Sequence, residues 1–542
     1  KFYSDNYPEK KFLFKKIKYS WKGENFFNLK LKIEKIIFTL SKLGIKKGDR
    51  VFLLSSNRIE WVEFDIAIMS CGAITVPSFV TNNIEDNKFI INDSKPKIII
   101  LENEKTYKNN LKFLSKFNKS KIITIEECDL FMNHKKILSK KIHKIKTPEI
   151  SKDDIATIIY TSGTSANPKG VVLSHKALLH NLEAAFYIII DFEIYKERFL
   201  SFLPLSHSYE RMAGLYFPLL VGGEIYFCSS LERLLSEIKE VRPTIFSAVP
   251  RLYENIFKKF KNEINKSGNF KKLILRLIFG YIENNSKSFY KIFLGKIFVK
   301  IFIKKKLMQL FGGNIKALIS GGAALNPTVG FFFNKAGLKL LQGYGQTEAA
   351  PLISCNFKNS NDPRTVGFPV KNVEIKISND NEILVKGDNV MLGYWNNKKL
   401  TNQTIRNKWL YTGDLGFLDK DGRLVINGRK KDLIVTSGGD NISVQKIETI
   451  LTAQVEISQA VIYGDNKPFL IALIVLDKDC YPNDLKSVMK KINNKLNSIE
   501  KIRKFIIIDK PFTYENGLLT QTQKIKRKKV YLQFSNQIKN LY

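Results

Sequence analysis

The sequence predicts an α/β protein with a large N-terminal body of layered α/β subdomains, a β-rich subdomain, and a small mobile α+β domain at the C-terminus. Three observations support this prediction. The chain has 542 residues, more than one hydrophobic core usually serves, so several cores are expected. Its apolar content of 44% suits a well-buried globular protein. Buried-strand patterns alternate with helical patterns over most of the chain, and hairpin patterns replace them near residue 373.

The first α/β stretch covers residues 25–130. A helical pattern at 27–43 precedes short apolar runs at 51–54 and 98–101, and turn residues separate these segments. A second α/β stretch follows, with helices between several of its predicted strands. These buried strands are predicted at 155–160, 223–227, 244–249, 315–319 and 339–341.

The remaining chain is predicted to be β-rich and then mixed. Short strands joined by turns favour hairpins from residue 373 onward. A compact α+β unit follows Gly428, and the conformational freedom of this glycine suits a flexible entry to a small mobile domain. The hairpin strands are predicted at 373–377, 382–385 and 423–426, and the compact unit has a strand at 433–436, a helix from 444, two strands around a turn at 465–468, a helix at 485–496 and a strand at 505–508.

The chain is strongly basic, with a formal net charge of +37. Such a charge favours nucleic acid, an anionic membrane or another polyanion where it is clustered. The lysines are instead spread along the whole sequence, which is typical of a solvated surface. Aromatic-rich RNA-binding signatures are absent, so no nucleic-acid partner is expected.

The five cysteines lie far apart and form no CxxC pair, which argues against a zinc site and a disulfide framework. No charge-free apolar run reaches the roughly 18 residues that cross a bilayer. We therefore expect a cytoplasmic protein.

One segment, residues 260–311, joins Lys and Arg repeatedly to aromatic and aliphatic residues. Two interpretations stay open. Basic amphipathic helices of this kind can lie on an anionic membrane surface, which would make the protein peripheral on the membrane. Alternatively, they are ordinary helices that pack on the body.

The strongest local signal is residues 160–170, YTSGTSANPKG, which follow one apolar strand and precede another apolar run. Small hydroxyl residues and glycine let backbone N–H groups converge on an anion, and Lys169 adds a full charge, so the loop predicts a phosphate cradle. It is not a Walker A loop, because Lys169 precedes Gly170 and no G-x-x-x-x-G-K-[ST] pattern can be drawn. The candidate phosphate-binding residues are Thr161, Ser162, Gly163, Thr164, Lys169 and Gly170.

Further motifs follow in order: SGGAAL at 320–325, QGYGQTE at 342–348, WLYTGDLG at 409–416, GRKKD at 428–432 and LTQTQKIKR at 519–527. The paired glycines of the first permit close backbone approach to a flat ring. The second offers an aromatic face and a carboxylate suited to Mg²⁺. The third carries a carboxylate that could accept both ribose hydroxyls. Each motif alone is also explained by a structural turn.

Their joint order resembles the adenylate-forming (AMP-binding) superfamily, from about residue 43 to residue 527. The chain looks most like the long-chain fatty acid CoA ligases, through LPLSHSYER at 203–211, VPRLY at 249–253 and the basic insertion. The resemblance implies ATP-dependent activation of a long-chain fatty acid through acyl-AMP to acyl-CoA, with release of AMP and pyrophosphate. It implies ATP, Mg²⁺ and coenzyme A as cofactors or co-substrates, and fatty acid and coenzyme A as partners. The family's Gly and Pro are replaced here by Ala166 and Gln521.

The resemblance also implies a role for each matched residue. Lys524, Thr164 and Glu348 would be catalytic, and Glu348 would bind the metal. Thr347 would contact the α-phosphate, while His207 and Gly322 would line the substrate channel. The nucleotide would be held by the loop residues 161–170 and by Gly322, Ala323, Gln342, Gly343, Tyr344, Gly345, Thr347, Asp414 and Arg429.

By the same resemblance, residues 1–428 would form the adenylation domain, 429–432 a hinge and 433–542 a mobile domain. The mobile domain would rotate between the two half-reactions and withdraw Lys524 after the first. Three alternatives stay open: a medium-chain or aryl acid CoA ligase, an acyl-AMP ligase serving a carrier protein, and, from another class, a basic membrane-binding protein whose nucleotide motifs are inert.

Overall fold

The structure is a computed structural model that describes residues 2–142, 147–161, 168–265, 277–278, 280–281, 289–438, 440–477, 480, 482–494, 496–513, 515–520 and 525–542. It is a mixed α/β protein with a large N-terminal body and a separate C-terminal α+β domain. Within the described residues, no helix combines the length and the apolar character needed to cross a membrane.

An eight-stranded sheet forms the first layer of the body. Its central strands are parallel and buried on both faces, which explains the unbroken apolar runs at 51–54 and 98–101. In spatial order its strands are Gly393–Tyr394, Lys169–Ser174, Ile155–Thr161, Ile74–Ser78, Arg50–Leu54, Ile98–Leu101, Ile122–Thr124 and Met132–Asn133.

The strand Ile155–Thr161 corrects the predicted layering, since 155–160 was assigned to the second α/β stretch. It pairs parallel with Ile74–Ser78, with Thr157 opposite Thr75, and so belongs to the first sheet. Local apolar patterning predicts that a strand forms, but contacts between distant segments determine which strands it pairs with.

The second sheet has five strands, parallel at first and antiparallel at its last two pairings. Its strands are Ile245–Ala248, Ala317–Ser320, Leu340–Gly345, Leu352–Cys355 and Phe368–Pro369. The strand predicted at 223–227 is not among them. It is found as Glu224–Phe227 in a separate four-stranded sheet, whose order is Arg198–Ser201, Glu224–Phe227, Lys11–Ile17 and Ser20–Asn25.

Helices cover these sheets. Phe26–Lys42 begins where the Asn25 side chain accepts a hydrogen bond from the N–H of Asn28, 2.8 Å away, which satisfies one of the unpaired N–H groups of the first turn. The other helical segments of the body are Phe2–Asn6, Ile59–Ser70, Ile84–Ser94, Glu104–Asn109, Leu111–Leu114, His134–Leu138, His175–Ile189, Ser208–Glu210, Arg211–Tyr216, Phe217–Leu220, Leu234–Val241, Pro250–Asn265, Phe289–Phe298, Val299–Lys304, Lys305–Leu310, Pro327–Lys335 and Lys398–Thr404.

The predicted hairpins form a further sheet, which is antiparallel and leads to the C-terminal domain. Its strands are Val373–Ile377, Glu382–Gly387, Trp409–Leu418, Ile405–Arg406 and Leu424–Arg429. After it, Lys430–Asp432 forms one 3₁₀ turn before the first strand of the C-terminal domain.

The C-terminal domain has two apolar cores, and the described residues that form them all lie beyond residue 433. The predicted helix 485–496 is found at Pro482–Asn493, and the predicted strand 505–508 at Ile502–Ile507. Two hydrogen bonds of 2.9 Å between the Asn493 amide and the backbone of Ile502 fix where the helix ends and the strand begins. The other elements are the strands Leu433–Val435, Asn441–Ser443, Ile457–Tyr463 and Leu470–Leu476, and the helices Val444–Thr452, Arg527–Gln533 and Ser535–Lys539.

Candidate active site

The two strands that flank the predicted phosphate loop lie side by side. Ile155–Thr161 runs antiparallel to Lys169–Ser174, and the register places Thr161 opposite Lys169. Both ends of the loop are therefore anchored at one point of the first sheet. Residues 162–167, and with them Ser162, Gly163 and Thr164, lie outside the described residues, as do residues 521–524, which include Lys524.

Gly170 is tightly enclosed just beyond this loop. An added Cβ would lie 2.9 Å from Cγ2 of Ile158 and 3.0 Å from Cζ of Tyr160. A larger residue would collide with these two side chains of the neighbouring strand, so the glycine allows close packing at the base of the loop.

Glu348 and Thr347 lie in a 3₁₀ turn, Thr347–Ala349, shortly after the strand Leu340–Gly345. The half-buried carboxylate of Glu348 accepts a hydrogen bond of 2.9 Å from the hydroxyl of Tyr394. The Thr347 hydroxyl lies 3.2 Å from that of Ser208, within the 203–211 motif. The turn thus places the predicted metal ligand beside the predicted α-phosphate contact.

Lys169 shares this environment. Burial, and then the nearby ammonium of Lys431, lowers the pKa of Lys169, while the carboxylate of Glu348 opposes that shift. The predicted phosphate lysine and the predicted metal ligand are therefore electrostatically coupled in the folded chain.

A single carboxylate fits a nucleotide-bound Mg²⁺. Within the described ranges, no group of three or more His, Cys, Asp or Glu converges on a metal position. Mg²⁺ in nucleotide sites takes one or two carboxylates, and phosphate oxygens and water complete its octahedron. The half-buried Glu348 is the residue that would supply such a ligand.

Tyr344, Asp414 and Arg429, the residues assigned to adenine and ribose, form one cluster. The Tyr344 hydroxyl donates to Oδ2 of Asp414 at 2.7 Å, and Nε of Arg429 lies 2.8 Å from Oδ1. The antiparallel register places Asp414 directly opposite Arg429. Burial and Asp414 hold the pKa of Tyr344 well above its usual range, so this phenol remains a hydrogen-bond donor. Each carboxylate oxygen keeps a second lone pair for a ribose hydroxyl.

The predicted adenine edge lies where two parallel strands end together. Ser320 is opposite Gln342 in the register, and Gly322 follows with a positive φ of 85° that favours glycine. Ala323 comes next in the chain. Among the residues that the structure describes, the Oγ of Ser320 and the Oε1 of Gln342 are buried and have no hydrogen-bond partner. Buried polar atoms of this kind normally have partners, so the pair fits a ligand that brings its own hydrogen-bonding groups.

The two glycines of the 342–348 motif differ. An added Cβ at Gly345 would lie 2.1 Å from the carbonyl oxygen of Pro351, so only glycine fits there. At Gly343 the nearest atom, Sγ of Cys355, would be 3.5 Å away, an ordinary contact.

His207 caps a short helix. Its Nδ1 accepts a hydrogen bond from the N–H of Tyr209 at 3.2 Å, so a neutral imidazole carries its proton on Nε2. Tyr209 packs against Gly321, where an added Cβ would lie 2.9 Å from the ring. Tyr209 therefore connects His207 to the 320–325 motif. The role of His207 in a substrate channel stays a prediction.

Sequence reasoning missed Tyr394, which contacts both Glu348 and Lys169. A tyrosine in the run LGYWNN carries no local signal of a site, because its partners come from distant segments. Tyr394 lines a cavity of about 370 Å³ at the base of the phosphate loop, together with Lys169, Gly170, Trp395, Asp93 and Phe89.

Known proteins resemble this chain over nearly its whole length. The family model of the AMP-binding enzymes matches residues 4–395, and that of the AMP-binding enzyme C-terminal domain matches residues 431–542. The long-chain-fatty-acid–CoA ligase FadD15 of Mycobacterium tuberculosis (strain ATCC 25618 / H37Rv) is 31% identical, over 93% of this chain and 89% of its own. The peroxisomal long chain acyl-CoA synthetase 6 of Arabidopsis thaliana is 30% identical, over 92% of this chain and 78% of its own.

Solved structures share the fold. The anthranilate CoA ligase AuaEII in complex with anthranoyl-AMP superposes with a TM-score of 0.78 at 20% identity, over 99% of this chain and 97% of its own. The adenylation domain of a carboxylate reductase from Mycobacterium chelonae superposes with a TM-score of 0.82 at 20% identity, over 99% of this chain and 89% of its own.

Proposed function

This chain belongs to the AMP-binding enzyme family, and from that premise we propose that it activates a long-chain fatty acid with ATP and transfers the acyl group to coenzyme A. AMP and pyrophosphate are released. The observation that carries the proposal is the proximity of Lys169, Glu348 and the Tyr344–Asp414–Arg429 cluster. Tyr394 contacts both Glu348 and Lys169, and the guanidinium of Arg429 lies near enough to Glu348 and Asp414 for their charges to interact.

The proposed chemistry suits these residues. The fatty carboxylate attacks the α-phosphorus of ATP, and pyrophosphate leaves. Such a transfer needs positioned cations and donors more than a nucleophilic side chain. Lys169 would hold the phosphates, Asp414 and Arg429 the ribose, and Glu348 the Mg²⁺, which neutralises charge on the leaving group. The thiolate of coenzyme A then displaces AMP.

Four residues that join the body to the C-terminal domain, 429–432, are proposed as the hinge between 1–428 and 433–542. Arg429 ends a strand of the body and contacts Asp414, and Leu433 begins the first strand beyond it. Few residues are needed to absorb a large rotation. The rotation would let the same adenylate face different groups in the two half-reactions.

The function is tested by acid-dependent ATP–pyrophosphate exchange and by thioester formation over a series of acids from acetic to palmitic. We expect exchange without coenzyme A, thioester formation with it, and a preference for the long acids. Preference for short or aryl acids would select another member of the family. Exchange without thioester formation, followed by transfer to a carrier protein, would select an acyl-AMP ligase. No exchange with any acid would contradict the proposal.

We further propose that part of the basic insertion docks on an anionic membrane. Along 290–307, residues 295, 299, 303 and 307 are buried at a spacing of four, as expected for one face of a helix. The outward faces nevertheless carry large apolar side chains among lysines. The exposed apolar residues are Tyr290, Ile292, Phe293, Ile297, Ile301 and Phe302.

A change of Phe293 and Phe302 to Ser should weaken binding to vesicles of phosphatidylglycerol, because each removes apolar area that would enter the acyl boundary. A change of Lys291, Lys296 and Lys305 to Gln should weaken vesicle binding too. This loss should be largest at low salt, because salt screens the electrostatic attraction and limits its range to about 8 Å at physiological ionic strength. Cosedimentation measures both. Tyr195→Ser removes an exposed aromatic elsewhere and should bind as wild type does. If the wild-type protein does not bind these vesicles at low salt, membrane docking is contradicted. The proposed activation of the acid is not affected by that result.

A further inference from the structure

One short segment connects the predicted metal ligand to the predicted phosphate loop. The N–H of Met391 donates to the carbonyl of Glu348 at 2.9 Å, and that of Trp395 donates to the carbonyl of Gly170 at 2.7 Å. Between them, Gly393–Tyr394 pairs antiparallel with the strand that begins at Lys169. The segment 391–395 therefore fixes the distance between two parts of the site that are far apart in the chain.

Tyr394 adds side-chain contacts to this backbone bridge. Its hydroxyl donates to Oε1 of Glu348 at 2.9 Å, and Nζ of Lys169 lies 5.5 Å from the centre of its ring. The first contact holds one carboxylate oxygen and leaves the other available to a metal. The second is a cation–π contact that favours one position of the ammonium.

Tyr394 is also suited to act only as a donor. The residue is 9% exposed. The hydroxyl is the donor in its contact with Oε1 of Glu348, because a carboxylate oxygen accepts. A neutral donor fixes a carboxylate without cancelling the charge that attracts Mg²⁺.

We propose that Tyr394 is a positioning residue that couples the carboxylate of Glu348 to the ammonium of Lys169 and so sets the affinity of the site for nucleotide-bound Mg²⁺. The inference rests on the proposed function, because it assumes that Glu348 binds the metal and Lys169 the phosphates. It predicts that loss of the Tyr394 hydroxyl changes the affinity for the metal and leaves the KM values for fatty acid and coenzyme A unchanged.

The first test is Tyr394→Phe, which keeps the ring and the backbone bonds and removes only the hydroxyl. The Mg²⁺ concentration for half-maximal ATP–pyrophosphate exchange should rise by about tenfold, the size expected for a lost hydrogen bond to a charged group. The KM values for fatty acid and coenzyme A should stay within about twofold of wild type, because the proposed role of Tyr394 involves neither substrate. Tyr107→Phe, at a buried tyrosine outside the site, is the matched control and should change neither quantity.

The second test does not depend on turnover. Binding of Mn²⁺, followed by electron paramagnetic resonance in the presence of a non-hydrolysable ATP analogue, should weaken by a similar factor in Tyr394→Phe. In a double-mutant cycle with Glu348→Gln, the two losses should be strongly non-additive, because the hydroxyl acts through the carboxylate. Tyr394→Leu removes the ring as well and should further raise the KM for ATP.

The outcomes separate the inference from the proposed function. A wild-type protein without acid-dependent exchange would refute the function. With an active wild type, unchanged Mg²⁺ and Mn²⁺ affinities in Tyr394→Phe would refute the inference alone. Additive losses in the double-mutant cycle would also refute it, since they would mean that Tyr394 acts on the fold and not through Glu348. A lower melting temperature of Tyr394→Phe with unchanged metal affinity would likewise mean that Tyr394 acts on the fold.

Discussion

Changing Lys524 to Ala should abolish formation of the acyl-adenylate and leave transfer of the acyl group from supplied acyl-AMP to coenzyme A largely intact. A cation brought by a mobile domain matters only while charge develops on the departing pyrophosphate, so its loss raises the barrier of the first half-reaction alone. Removal of one such group typically costs about 10²- to 10³-fold in rate. Single-turnover assays of the two half-reactions measure each loss separately.

Lys526 is the matched control, since it is two residues away and tests the register of the motif. Burial, and then the neighbouring Lys529, lowers the pKa of Lys526, and Asp86 of the helix Ile84–Ser94 opposes that shift. This places Lys526 against the body. Lys526→Ala should therefore retain adenylation within a few fold. The reverse result would assign the catalytic lysine to position 526, and equal losses in both half-reactions for Lys524→Ala would remove the argument for a rotating domain.

The sequence predicted the buried strands well and their neighbours poorly. Strands at 51–54 and 98–101 are covered on both faces, so their apolar runs are unbroken and visible without a structure. Lys11–Ile17 was not predicted, because its three lysines interrupt the apolar pattern, although it is an interior strand of the four-stranded sheet. The pairing of this strand with Glu224–Phe227 joins residues more than two hundred positions apart, which no local pattern specifies.

The candidate site shows the same division. The order of the motifs, and their resemblance to the AMP-binding family, pointed to Asp414, Arg429 and Glu348, because each of these residues lies within a recognisable motif. Tyr394 reaches the site through tertiary contacts with the Lys169 and Glu348 segments, and a tyrosine that lines a cavity looks in sequence like one in a core. Residues that position others are therefore the part of a site that a structure adds.

The 203–211 motif contains a further residue of this kind, Arg211, whose side chain is 2% exposed. Its guanidinium pairs with Asp65, which is fully buried, and donates to Oγ1 of Thr157 at 2.8 Å. The Tyr216 hydroxyl donates to the same carboxylate at 2.7 Å, and the ring of Trp61 lies 5.4 Å from the guanidinium. The network joins three segments of the body, one of which is the strand Ile155–Thr161 that leads to the phosphate loop.

Arg211→Met should destabilise the body by about 3–5 kcal/mol, because it leaves the Asp65 carboxylate buried without its counter-charge. The shift of the urea midpoint of tryptophan fluorescence, together with the slope, measures the loss. The double variant Asp65→Asn with Arg211→Met removes both charges and should recover most of the stability, since an apolar and neutral pair has no such desolvation cost. A single variant as stable as wild type but inactive would instead give Arg211 a direct part in the reaction. Destabilisation that the second substitution rescues would mean that this part of the motif, although adjacent to His207, maintains the strand that carries the phosphate loop.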